Sequence, residues 1–224
     1  MPDIASLNEA SKEYLEAIYE LEEEGQKILQ ARIGERLGLA AATVSEGVKR
    51  LVSDGYVTVD QGRSLGLTDE GRRLAETLVR RHRLAERMLT DILGIPWHQC
   101  HEQAEDWEKV MTPEVETAIL AKLTGPATCP HGNPIPGADS AVPWSDLRSV
   151  ASMVTGDKGR LTRLLEDVEL DHDVLKYLED HRLMPGADLA LLEVAPDGTR
   201  ILEVGGERVA LGQPLADNLW VLPA

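Results

Sequence analysis

The sequence predicts a mainly α-helical protein with a small amount of β-structure. It reads as an N-terminal helix-turn-helix with a β-hairpin wing, a helical middle segment and a small C-terminal β-barrel. Three observations predict this. Apolar residues recur at helical spacing through the first 53 residues and again over 72–93. Two short helical stretches meet at Gly38, and a strand, loop and returning strand follow the second of them. From about Val142, short apolar stretches alternate with tight turns.

The elements follow in order. Ser6, with Glu9 three residues on, makes a capping box for a first helix. Its core stripe is Tyr14, Leu15, Ile18, Tyr19 and Leu21, and Gly25 ends it. A second helix covers Gln30–Leu37 and a third runs from about Ala41 to Ser53. The third puts Val44, Val48, Leu51 and Val52 inward and Thr43, Ser45, Glu46, Lys49 and Arg50 outward. Short hydrogen-bonding and cationic side chains of this kind suit base edges and phosphates. Asp54-Gly55 turns the chain into a strand at Tyr56–Val59. After a loop over 60–64 the chain returns at Leu65–Thr68, which places Arg63 near the tip of the wing.

A long helix from Arg72 to about Leu93 carries His82 and Glu86, and a helix starting at Pro96 carries His98, His101, Glu105 and Glu108. Spacings of three or four put His82 with Glu86, His101 with Glu105, Glu105 with Glu108, and Glu13 with Glu16 on common helix faces. Stripes of carboxylate and imidazole groups from facing helices can enclose a metal, although a single Glu pair is also what a solvated face looks like. Between Gly125 and Gly137 the chain is Gly/Pro-rich and holds two further donors, Cys129 and His131. In the last third, a helix ends near Leu178, and strands are expected at 188–194, 199–204, 207–211 and 219–222 with turns at 196–198 and 205–206.

Composition bounds the function. The 224 residues allow two or three small domains, and 42% hydrophobic residues are enough to build cores. With no Phe and 4% aromatics, aliphatic side chains must fill them. Two cysteines exclude a disulfide framework and make a reducing cytoplasm the expected setting. No apolar run reaches 18 residues, so no membrane contact is expected, and residues 1–16 have no signal-peptide character. The net charge of −16 opposes non-specific nucleic-acid binding by the chain as a whole. From Gln26 to Ala75, however, eight Lys/Arg face six Asp/Glu, a local balance of +2. That pattern fits a DNA reader held off until its surrounding acids are neutralised.

The stretches Glu13–Tyr19, Ala41–Ser45, Arg63–Thr68, His82–Glu86, His101–Glu108 and His131–Gly137 together resemble the diphtheria-toxin-repressor family of metalloregulators, along the whole chain. The resemblance implies a winged helix-turn-helix over 1–74, a dimerisation and metal-binding domain over 75–141 and an SH3-like (FeoA-like) domain over 142–224. It implies metal ligands at Glu13, Glu16, His82, Glu86, His101, Glu105 and Glu108, with Cys129 and His131 serving a second site. Glu169, Asp171 and His172 are candidates to complete an ancillary site from the C-terminal domain. It implies DNA contacts from Arg32, Thr43, Ser45, Glu46, Lys49, Arg50 and Arg63. The sequence departs from the family at Lys109, where a His is usual. A protonated lysine cannot ligate, so it would either stand in for a second cation or weaken the site.

Hard oxygen donors at Glu13, Glu16, Glu105 and Glu108 suit Mn2+ or Fe2+, with Zn2+, Co2+ and Cd2+ able to substitute in vitro. The expected partners are a double-stranded DNA operator and a second copy of the chain, with no small-molecule substrate. Without metal the carboxylates should repel. With metal bridging Glu13 and Glu16 to His82, Glu105 and Glu108, the recognition helices of a homodimer should match a palindromic operator and repress metal-uptake genes. The rivals are an iron-responsive repressor, a carboxylate–histidine metalloenzyme, and a metal-storage or interaction protein with a purely structural helix-turn-helix. Against the enzyme, the sequence lacks His-Glu-x-x-His and a nucleophile elbow.

Overall fold

A computed structural model describes Ile4, residues 7–138 and residues 141–224. The chain divides into two compact units, the first ending at Arg81 and the second beginning at His82.

In the first unit, α1 (Glu9–Glu23), α2 (Gln30–Leu37) and α3 (Ala41–Ser53) pack around Leu15, Ile18, Leu21, Ile33, Val44, Val48 and Leu51. The expected cap, Ser6, lies outside the described residues; Asn8 caps α1 by accepting from Ser11 N. Gly38 ends α2 in the left-handed region and sets the turn into α3. Val52, expected inward, is 42% exposed, because it lies one position round the helix from Leu51 and off the buried face. Gly47 is where Tyr14 crosses α3: a Cβ there would lie 2.6 Å from the Tyr14 ring, and the Tyr14 hydroxyl donates to Thr43 O. The wing is β1 (Val57–Val59) antiparallel to β2 (Leu65–Leu67), paired Val57 to Leu67. At its tip Asp60 accepts from Ser64 N, and Arg63 adopts φ 61°. The division between the units falls within α4 (Asp69–Arg87), whose Leu74, Ala75 and Leu78 join the first unit's core.

In the second unit α4 ends in a π-turn, Met88–Ile92. A 3-10 turn, Trp97–Gln99, leads into α5 (Cys100–Val110), so His98 sits on the turn and not on the helix. α6 (Pro113–Lys122) follows, capped by Thr112. Leu84, Ala85, Leu89, Cys100, Ala104, Ile119 and Ile135 form one core of this unit.

The second core lies under a six-stranded antiparallel sheet. Its strands are β3 (Arg148–Ser149), β4 (Lys158–Leu164), β5 (Asp188–Val194), β6 (Arg200–Val204), β7 (Glu207–Leu211) and β8 (Leu219–Pro223), in the order β3-β8-β4-β5-β6-β7. Three short helices accompany it: α7 (Glu166–Glu169), α8 (His172–Asp180) and α9 (Gln213–Asn218). No strand was expected at 158–164. The inward positions of β4 are Gly159, Leu161 and Arg163, and a glycine and a buried arginine erase the apolar alternation that marks a strand. Among the described residues no helix is long and apolar enough to cross a membrane.

Candidate metal centre and DNA-reading face

Four segments of the second unit meet at one buried point. The end of α4 supplies His82 and Glu86, the start of α5 supplies His101, the loop after α6 supplies Cys129 and His131, and α7 supplies Glu166 and Glu169. Their ligand atoms fall into three overlapping groups, each within 4.8 Å: Glu86, Cys129, His131 and Glu169; His82, Glu86 and His101; His101, Glu166 and Glu169. Glu86 has no exposed surface, nor has His131.

The contacts are close. His131 Nδ1 lies 2.7 Å from Glu169 Oε2 and 3.3 Å from Glu86 Oε1. His101 Nδ1 lies 3.1 Å from Glu86 Oε1 and 3.3 Å from Glu169 Oε2. His82 places Nε2 3.1 Å from His101 Nδ1, and its Nδ1 is 2.6 Å from Glu108 Oε2.

These contacts set the protonation states. Burial pushes the His101 imidazole down, but hydrogen bonds to Glu169 and Glu86 outweigh it and lift its pKa to about 10. His82 and His131 are raised well above the usual histidine range against the same burial, His82 by Glu108 and Glu86, His131 by Glu169 and Glu86. Burial also opposes ionisation of Glu86 and Glu169, yet the surrounding imidazoles hold both below the usual carboxylate range. The Cys129 thiol is pushed far up by burial and by the two carboxylates. The cluster without metal is therefore a protonated one, in which protons on nitrogen neutralise the carboxylates.

The loop carrying Cys129 and His131 is held by three arginines. Arg87 Nε donates to Thr128 O at 2.7 Å and its Nη2 to Cys129 O at 3.1 Å. Arg83, 1% exposed, donates to Pro134 O and, at 2.7 Å, to Glu166 Oε1. Arg163 of β4 donates to Asn133 Oδ1, and Asn133 Nδ2 donates to Glu169 Oε1. The Arg163 guanidinium lies 4.7 Å from the centre of the Trp144 ring. Gly132 takes φ 92° where the loop crosses β4, and a Cβ there would meet Thr162 O at 2.0 Å.

Divalent cations fit this donor set. Two carboxylates, an imidazole and a thiol converge with the separations and burial of a metal cradle. Two buried polar atoms, Glu86 Oε2 and His131 Nδ1, have no hydrogen-bond partner of acceptable geometry. Native proteins leave few such atoms, so each points to a missing neighbour.

Not every expected ligand gathers here. Glu105 faces outward on α5. Lys109, the departure from the family's usual His and not an expected ligand, is directed to Asp106, 3.6 Å away on its own helix. Asp171 caps α8 by accepting from Asp173 N and Val174 N. The His172 ring lies 4.9 Å from His98, which is bonded in turn to Glu179. Glu13 and Glu16 lie on α1, Glu13 exposed and Glu16 half-buried. Glu166, Asn133 and the three arginines were not anticipated. The spacing of Glu166 to Glu169, i and i+3 on one short helix, was the only sequence signal for any of them.

On the first unit, Thr43, Glu46, Lys49 and Arg50 of α3 are exposed and Ser45 is half-buried. Arg32 on α2 and Arg63 at the wing tip are exposed as well.

The sequence agrees with this architecture along its length. Residues 6–65 match the iron-dependent repressor N-terminal DNA-binding domain, 68–137 the iron-dependent repressor metal-binding and dimerisation domain, and 148–223 the FeoA domain. The chain belongs to the iron-dependent repressor family. Members are metal-dependent transcriptional regulators that bind DNA, and not enzymes. The chain is 50% identical to a diphtheria toxin repressor of Corynebacterium jeikeium, covering 91% of this chain and 92% of that one. It is 37% identical to the iron-dependent repressor IdeR of Mycobacterium tuberculosis, over 96% and 97%. Among solved structures, a manganese-dependent transcriptional repressor in complex with manganese superposes with TM-score 0.83 at 34% identity, over 96% of this chain and all of that one. ScaR with bound Zn2+ superposes with TM-score 0.76 at 29% identity, over 94% and 98%.

Proposed function

We propose that this iron-dependent-repressor-family protein is a cytoplasmic repressor of metal-uptake genes, activated by Mn2+ or Fe2+ and binding palindromic operators as a homodimer. The observation that carries the metal half of this reading is the buried convergence of Glu86, Cys129, His131 and Glu169, with two of its polar atoms lacking a well-aligned hydrogen bond. A bound divalent cation supplies the positive charge that otherwise comes from protons on the histidines. The chain's own residues do the rest. Arg83, Arg87 and Arg163 hold the ligand loop, and Asn133 orients Glu169. His82 and His101 join Glu86 to Glu108, a residue of the dimerisation segment. Glu13, Glu16 and Glu105 keep the ligand role that the family resemblance implies, and so do Asp171 and His172 as candidates.

On the DNA side, Thr43, Ser45, Glu46, Lys49 and Arg50 read or position the operator, and Arg32 and Arg63 hold phosphates. Dimerisation uses the apolar groups that α5 and α6 leave exposed, Trp107, Val110 and Val115. We take 1–74, 75–141 and 142–224 as the functional domains.

Iron is the second reading, favoured by one feature: Cys129 places a thiol among the gathered ligands, which makes the set softer than one of oxygen alone. One experiment tests both. Binding of an operator fragment is followed by fluorescence anisotropy with Mn2+, with Fe2+ under anaerobic conditions, and with chelator. Binding only with metal supports the reading, and the ion with the lower threshold is taken as the physiological one. Equal binding in chelator overturns metal activation.

A further inference from the structure

The family's metal reading does not use Cys100. It is fully buried at the first position of α5 and packs against the back of His131. The two nitrogens of His131 face opposite ways. Nδ1 points to Glu86 and Glu169, and Nε2 lies 3.9 Å from Cys100 Sγ. Cys100 spends its own S–H on Trp97 O, at 3.2 Å, which leaves its sulfur lone pairs toward the ring. The Trp97 ring covers one side of His131 with 4.7 Å between ring centres, and its Nε1–H donates to Pro130 O at 3.0 Å. One short segment, Trp97 to His101, thus walls in His131 and supplies a polar partner on its far side.

A histidine that binds a metal must be neutral, with its proton on the nitrogen away from the ion. A hydrogen-bond acceptor there fixes both tautomer and ring angle. Two thiols, Cys100 and Cys129, interact with the His131 ring; Cys100 is the one placed at Nε2, and the ring has no exposed surface. We propose that Cys100 is a positioning residue of the metal centre: its sulfur accepts the Nε2 proton of His131 and so presents Nδ1 to a divalent cation held with Glu86, Cys129 and Glu169, while Cys100 itself does not ligate. The inference rests on the metal reading above and assigns a role inside it. Cys100 stands outside every group of converging ligand atoms, which agrees with support and not coordination.

The test uses the full-length protein labelled with 15N-histidine and loaded with Zn2+, which is diamagnetic. Long-range 1H–15N correlation spectra report the His131 tautomer, and competition with a chelating indicator reports Zn2+ affinity at that site. Cys100→Val removes the acceptor at similar volume, and Cys100→Ser keeps one. The expected result is an Nε2-protonated, Nδ1-bound His131 in the wild type and in Cys100→Ser. Cys100→Val should lose the single tautomer and bind Zn2+ about 10- to 100-fold more weakly. With Co2+ as probe, the thiolate-to-metal absorption band should survive Cys100→Val and vanish in Cys129→Ser. Should Cys100→Val not fold, Cys100→Ala gives the same comparison without branched bulk. An unchanged tautomer and affinity without the acceptor overturns the proposal and leaves the metal reading standing. Loss of the Co2+ band in Cys100→Val also overturns it, by making Cys100 a ligand. A wild type that binds no Zn2+ through His131 overturns the metal reading as well.

Discussion

Glu86 has three imidazoles around it and no exposed surface, so its charge is indispensable to the site. Glu86→Gln keeps the shape and removes the charge. We expect loss of cation binding at this site by isothermal titration, with the apo fold retained by circular dichroism; unchanged binding would place the ion elsewhere. The same residues set a pH dependence. In the chelated protein His101 has a pKa near 10 against an ordinary 6.5, so the stability of its paired, protonated form is complete below pH 6.5 and is lost as pH rises toward 10. Glu86 and Glu169 sit below the ordinary 4.5, so their share is present above that value and is lost as pH falls through their lowered pKa values. Melting temperatures of chelated protein from pH 4 to 9 should therefore peak between about 4.5 and 6.5 for this network. His101→Asn should flatten the alkaline decline. A wild-type decline that the variant leaves untouched would assign the pH dependence to other groups. At this scale most of the titratable residues that gather in the cluster were legible as candidates, because His, Cys and Glu announce their chemistry by type. Arg83, Arg163 and Asn133 were not, because what matters is their partners, and Arg83 meets Glu166 across 83 positions of sequence.

Elements whose sequence periodicity matched their burial were read correctly. α1 and α3 are amphipathic, and the wing begins at a turn signal, Asp54-Gly55. β4 was not seen because function overrides pattern there: Arg163 is buried to reach Asn133, and a Cβ at position 159 would lie 2.9 Å from Leu222 O, so glycine stands where an apolar side chain would mark the strand. α6 was missed although Thr112 and Pro113 mark its start, because its alternation of Glu with apolar residues gives no sharp face. Two predictions belong to this scale. Gly132→Ala should strain the ligand loop by about 1–3 kcal/mol from its positive φ alone, and more from the contact with Thr162 O. Urea unfolding should show the loss, and metal affinity should fall with it; an unaffected midpoint would mean the loop adopts another path. On α3, Lys49→Ala should weaken binding to all DNA sequences alike and reduce the salt dependence by about one phosphate contact. A change confined to the specific operator would instead make Lys49 a base reader.

For the molecule as a whole, a net charge of −16 and a DNA-binding function coexist because the charge is uneven, with a local balance of +2 over Gln26–Ala75. Binding of a cation to the folded state alone should stabilise it by about 2.7 kcal/mol at a hundredfold excess over Kd. Calorimetry with Mn2+ and with chelator should show the corresponding rise in melting temperature, and no rise would mean that the ion binds the folded and unfolded chain equally. Trp107→Glu, on the exposed apolar face of α5, should give a monomer in sedimentation velocity while leaving the site residues in place. The architecture of three segments was legible in the sequence. That the second and third share one compact unit was not, because the joining contacts run through buried polar side chains, Arg83 to Glu166 and Asn133 to Glu169, and leave no hydrophobic pattern.

The order in which the candidate ligands occur along the chain has a consequence for its synthesis. Glu86 and His101 leave the ribosome early and Cys129 and His131 follow, but Glu169 comes only after three quarters of the protein has been made. The winged helix at the N-terminus, which lies within a compact unit of its own, is fully synthesised long before that. A nascent chain therefore passes through a period in which it has a DNA-reading head and no complete receptor for the ion. On the proposed reading it stays inactive throughout, so that no unfinished copy can silence a gene while it is still being translated.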